Sequence, residues 1–113
     1  MIKLKFKGRE LSVHAKKVSP LGMFSGLMFK SSTTENLLFE FKHKKSAAIH
    51  SCFVFFDFMA AWLDEENRVV DHMLVRPFTL SIKPKVEAKK LVEIPINEKN
   101  NSIINFLVGK GKV

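Results

Sequence analysis

Apolar and polar residues alternate strictly at the start of the chain, with Ile2, Leu4 and Phe6 set against Lys3, Lys5 and Lys7. A period of two is that of a strand with one face in a core and the other in water. After Gly8-Arg9 the alternation resumes, Leu11, Val13 and Ala15 against Ser12, His14 and Lys16, so the first seventeen residues read as a β-hairpin turning at the glycine. The period then changes. Ser19-Pro20 has the chemistry of a helix N-cap and first turn, and Leu21, Phe24, Leu27 and Met28 follow at helical spacing. Gly22 and Gly26 limit this to a short helix near residues 20–29.

Residues 31–34 form a polar loop, after which Leu37, Phe39 and Phe41 alternate with Leu38, Glu40 and Lys42 as a second strand region. His43-Lys44-Lys45-Ser46 turns the chain. Residues 49–56 and 58–63 are continuously apolar, which suits central strands covered on both faces, with Asp57 marking a bend between them. Asp64-Glu65-Glu66-Asn67 reads as a turn into a strand at residues 69–75. Phe78, Leu80 and Ile82 alternate with Thr79, Ser81 and Lys83 until Pro84 stops the run. A strand at residues 91–96, a polar loop and a last apolar run at residues 103–108 complete about eight short strands and one short helix. With no repeat and no linker, the expectation is a mainly β single domain over residues 1–113, an antiparallel β-sandwich or partly closed barrel.

Composition sharpens this picture. A chain of 113 residues buries roughly 65% of its unfolded surface, enough for one core. Hydrophobic residues make up 46% of it, eleven of them Phe, which separates it from disordered chains despite a net charge of +8. Cys52 is the single cysteine and points to a reducing compartment. The N-terminus enters a strand pattern at once without a signal-peptide core, so a cytoplasmic protein is expected. The longest apolar stretch, residues 52–63, is broken by Asp57 and is shorter than the roughly eighteen residues of a membrane helix, so no membrane partner is expected.

Six blocks in register resemble the small archaeal and bacterial family known as domain of unknown function 192, over residues 19–113. Gly26-Leu27-Met28-Phe29-Lys30 is similar to its Gly-Leu-Met-Phe-Arg block, and Asn36-Leu37-Leu38-Phe39-Glu40-Phe41 to its Gly-Met-Leu-Phe-x-Phe strand. Ile49-His50 followed by Phe53-Val54-Phe55-Phe56 looks like the corresponding segment of archaeal members. Trp62-Leu63-Asp64-Glu65, Arg76-Pro77-Phe78 and Ala88-Lys89-Lys90-Leu91-Val92-Glu93-Ile94-Pro95 complete the series. Three positions depart from the pattern. The family's characteristic acid after the Phe-Phe pair falls on Met59, its Gly after the Glu-Leu-Pro segment is Asn97, and Gly109-Lys110 stands where Gly-Asp is usual. Asn suits a position that needs the left-handed backbone region. The resemblance implies a compact β-rich fold and carries no settled activity.

Candidate chemistry is sparse. His50 and Cys52 share a strand face but lack the further ligands a metal site requires, so no metal or cofactor is expected. Asp71 and His72 are neighbours on a strand and face opposite sides, which removes a local acid-histidine contact. Asp64, Glu65 and Glu66 sit in a turn, where acids are ordinarily solvated. Gly109-x-Gly111 lacks the helix of a phosphate loop.

The leading expectation is a non-enzymatic domain that binds a small ligand or a protein partner. Its ligand-binding candidates are His50, Arg76 and Glu93, each a polar interruption of an apolar block. The alternative is sequence-indifferent nucleic-acid binding by Lys3, Lys5 and Lys7. Against it, Phe6 alternates away from the lysines and no Tyr exists, whereas single-strand binders set aromatic rings among their cations. Lysines on an edge hairpin also serve to block aggregation. A third expectation is an enzyme with His50 as general base.

Overall fold

A computed structural model describes residues 1–18, 31, 33–40, 54–79 and 82–109. The opening alternation forms β1, Ile2–Phe6, and β2, Arg9–Val13, an antiparallel hairpin with Phe6 opposite Arg9. Lys7 and Gly8 connect them at φ 51 and 77, the double left-handed geometry of a two-residue primed turn. A Cβ on Gly8 would meet no atom within 4 Å, so its cost is conformational alone. Gly8→Ala is expected to destabilise the fold by about 1 kcal/mol in urea unfolding, and a neutral result would show that the turn tolerates a β-carbon at positive φ.

The hairpin ends sooner than the alternation does. At His14 the chain leaves the first sheet, and Ala15–Lys17 becomes β3 of a second sheet, pairing in parallel with β4, Asn36–Glu40. The Asn36 side chain marks the change by donating from Nδ2 to the His14 carbonyl at 3.1 Å. Beyond these two strands the second sheet is antiparallel. Its order is β3, β4, β7 (Lys90–Pro95), β5 (Phe58–Leu63) and β6 (Val69–Val75). The architecture is therefore mainly β, two sheets in a sandwich-like arrangement, with seven strands and one α-helix among the described residues and no closed barrel.

The centre of the five-stranded sheet is covered on both faces, which explains the unbroken apolar run of β5. Phe58, Ala60 and Trp62 point to one face with Leu37, Phe39, Val75 and Leu91, packed under Val54, Ile82 and Ala88. Met59, Ala61 and Leu63 point to the other with Val92 and Ile94, where Ile2, Leu4 and Val13 of the hairpin and Ile103, Ile104, Phe106 and Leu107 close over them. Met59, which stands where the resembling family has its acid, is thus a buried core residue on the hairpin side.

Residues 54–56, expected within a central strand, form no strand, and β5 begins only at Phe58. Two further stretches differ from the sequence reading. Residues 103–108 lie in α1, Asn101–Val108, rather than in a strand. The buried positions Ile103, Ile104, Phe106 and Leu107 follow helical spacing around exposed Asn105. A 3-10 turn, Glu98–Asn100, feeds this helix. Asn97 at its N-cap has an extended φ of −158, not a left-handed one, and its Oδ1 accepts from the Asn100 N–H at 3.0 Å. The second difference is at Phe78, which belongs to a turn rather than a strand. Its φ is 60, the Thr79 hydroxyl donates to the Arg76 carbonyl at 2.9 Å, and its exposed ring meets Phe55 edge-on at 5.5 Å.

The turn at residues 64–67 forms where expected, but its acid does more than sit in water. Asp64 Oδ1 accepts from the N–H groups of Glu66 and Arg68 at 2.9 Å each, and Oδ2 takes the Arg68 Nε at 2.8 Å. Asn67 supplies the left-handed residue, with φ 66. Partial burial pushes the Asp64 carboxyl up, and these hydrogen bonds outweigh it, leaving the group below its ordinary range. At the edge strand β6, the Asp71 carboxylate accepts the His72 N–H at 2.9 Å and the Lys85 N–H at 2.8 Å. The pairing with β5 also slips between Trp62 and Leu63, a bulge at this edge. Both features blunt the edge against pairing with another strand. No helix among the described residues is long and apolar enough to cross a membrane.

Candidate functional site

The hairpin and the start of β6 meet at one end of the molecule. The Lys5 N–H donates to the Asn67 carbonyl at 3.0 Å, and Lys5 bridges Arg68 in parallel. Between them lies a cleft of about 400 Å³ lined by Lys5, Phe6, Lys7, Arg9, Arg68 and Val69 together with Gly8 and Glu10. Strand alternation alone would send Phe6 away from its lysines. The primed turn instead swings Lys7 back, so that its Nζ stands 5.2 Å from the centre of the Phe6 ring. Phe6 packs on the core side of β1 with Ile2 and Leu4, as the alternation implies, and what the sequence reading missed is that Lys7 comes over its ring and sets it beside the cations.

Charge balance distinguishes these cations. Lys3 approaches Glu10 at 3.9 Å and lies outside the cleft lining, whereas Arg68 is engaged by Asp64 and by Glu66, the latter at 3.4 Å. Lys5, Lys7 and Arg9 form no ion pair with a carboxylate among the described residues. Arg9 lies over the Phe106 ring at 5.4 Å and donates to the Phe106 carbonyl at 3.5 Å, which anchors the guanidinium stem on α1. Phe6 is braced by a T-shaped contact with His72 at 5.5 Å and by Phe106 at 6.2 Å. Half-burial depresses the His72 pKa, Asp71 opposes this, and Lys7 adds to the depression, so the imidazole sits below its ordinary value. Such a cluster can hold an anion through two lysines and a guanidinium, with an aromatic ring in reach.

The residues singled out as ligand-binding candidates are placed differently. His50, with Cys52, lies outside the described residues, as does the helix expected near residues 20–29. Arg76 follows β6 at the sheet end, 73% exposed, and pairs with Asp57 at 3.6 Å. Glu93 points the other way, into the core. It lies in one cross-strand row with Leu37, Ala60 and Met73, between the rows of Phe39, Leu91 and Trp62 and of Pro95, Phe58 and Val75. Its Oε1 is buried without a hydrogen-bond partner, and burial raises the carboxyl to about 8. At neutral pH this acid is mostly protonated. The structure thus leaves Arg76 in solvent and Glu93 inside.

Among the described residues no three His, Cys, Asp or Glu side chains gather where they could hold a metal ion. The sequence flagged the lysines, but not Arg9 or the role of Phe6. The signal available was the Lys7-Gly8 pair, whose turn type re-aims the side chains on either side of it. No family model, curated protein or solved structure matches the chain.

Proposed function

We propose that this is a non-enzymatic binding domain whose site is the cleft at the β1–β2 turn, and that the cleft takes the phosphate backbone of a nucleic acid without regard to sequence. One observation carries the reading: Lys5, Lys7 and Arg9, free of carboxylate ion pairs among the described residues, converge with Phe6 on a single cleft. The net charge of +8 adds long-range attraction. A cytoplasmic location agrees with the single cysteine, and a place in the family of domain of unknown function 192 rests on the six sequence blocks.

In a fluorescence-anisotropy titration with a labelled single-stranded oligonucleotide, affinity should fall steeply as salt rises. Replacing Lys5, Lys7 and Arg9 together by Gln should flatten the plot of log K against log salt by about two. Binding absent at low salt, or a slope untouched by the triple replacement, would remove the proposal.

A second reading, a small ligand held at Glu93, is favoured by the unpartnered buried Oε1. A ligand hydrogen-bonded there would shift the infrared carbonyl band of the protonated carboxyl, and that band would vanish in Glu93→Gln.

A further inference from the structure

We infer that the cleft discriminates single strands from duplexes, with Phe6 as a stacking platform that Lys7 uncovers when its ammonium moves onto a phosphate. This rests on the nucleic-acid reading above. Phe6 packs edge-to-face with His72, the ring planes 88° apart, and against the tilted ring of the buried Phe106. Those contacts fix the ring while leaving Lys7 over it on the side of the cleft. Phe6 is half-buried and Lys7 is exposed, so the lysine resting on the ring is weakly held, because water solvates the ammonium almost as well as the ring attracts it.

A single-stranded ligand offers better partners to both groups. Its phosphate takes the ammonium, and an unstacked base covers the ring face that the ammonium leaves. Arg9 need not move, since its guanidinium already lies on Phe106 at the cleft, is exposed, and has N–H groups beyond the one given to the Phe106 carbonyl for the same backbone. A duplex cannot make the exchange. Its bases are stacked on one another, so it gains the phosphate contacts and leaves Phe6 bare.

The test compares a labelled single strand of mixed sequence with its own duplex at one low salt concentration. The wild-type protein should prefer the single strand by about tenfold, Phe6→Leu should lose that preference while keeping its salt slope, and Phe6→Tyr should keep both. Circular-dichroism melting of the variants checks that the hairpin stays folded. Equal affinity of the wild type for the two forms, or a preference that survives Phe6→Leu, overturns the inference and leaves backbone binding standing. If neither form binds, the nucleic-acid reading fails first and the inference with it.

Discussion

Wild-type stability is expected to fall between about pH 5 and pH 8, and Glu93→Gln is expected to abolish most of that fall and to be the more stable protein at pH 8. In the unfolded chain the carboxyl titrates at its ordinary value of 4.5, whereas burial holds it near 8 in the folded state. Between those values the folded protein keeps a proton that the unfolded chain has lost. Unfolding then releases a proton, so raising the pH favours it. The slope is about 1.4 kcal/mol per pH unit, and the loss accumulates to the order of 5 kcal/mol before levelling off above pH 8. That is a large share of the stability of a domain this size. Below the unfolded value both states are protonated and the effect disappears. Glutamine keeps donor and acceptor groups in the same place and removes the titration. Urea unfolding at pH 5, 6, 7 and 8, followed by the fluorescence of Trp62, measures both proteins, and parallel pH profiles would show that Glu93 is already ionised in the folded state.

The second large effect is expected at Trp62 itself. Its ring is fully buried on β5, the neighbour of Leu91 on β7 and part of the cluster that includes Phe39 and Phe58. Trp62→Ala removes the largest side chain from an interior that cannot close around the gap, at a cost of about 4 kcal/mol. Phe55→Ala, which truncates a ring 59% exposed, should cost less than about 1 kcal/mol. Calorimetric melting reads both variants without relying on the lost fluorophore. Equal shifts in the two would mean that the sheet face under Trp62 is not the packed core described.

Much of this architecture was legible locally. The alternation at Ile2, Leu4 and Phe6 reports one covered face, and the unbroken run from Phe58 to Leu63 reports two, because each pattern is the direct imprint of which faces meet water. The turn at Asp64 was equally readable, since its residue types carry their own hydrogen-bond partners. Residues 103–108 were ambiguous because a short apolar run fits a strand or a helix. The exposed Asn105 between buried pairs was the local evidence for the helix.

The candidate cleft was half legible. Lysine spacing marked the hairpin as basic, and it took the backbone of Lys7 and Gly8 to bring an ammonium over Phe6 and α1 to bring Phe106 under Arg9. Glu93 shows the same division. The sequence by itself determined that a carboxyl interrupts an apolar strand, along with the fold class, the basic charge and the two-faced cover of β5. Only the tertiary structure decided that Leu37 and Ala60, from two other strands, flank that carboxyl and raise it to about 8, and that Lys5, Lys7 and Arg9 share one cleft with Arg68. The reason is physical: periodicity records exposure to water along one strand, whereas a pKa or a binding cleft depends on which distant strands are brought alongside.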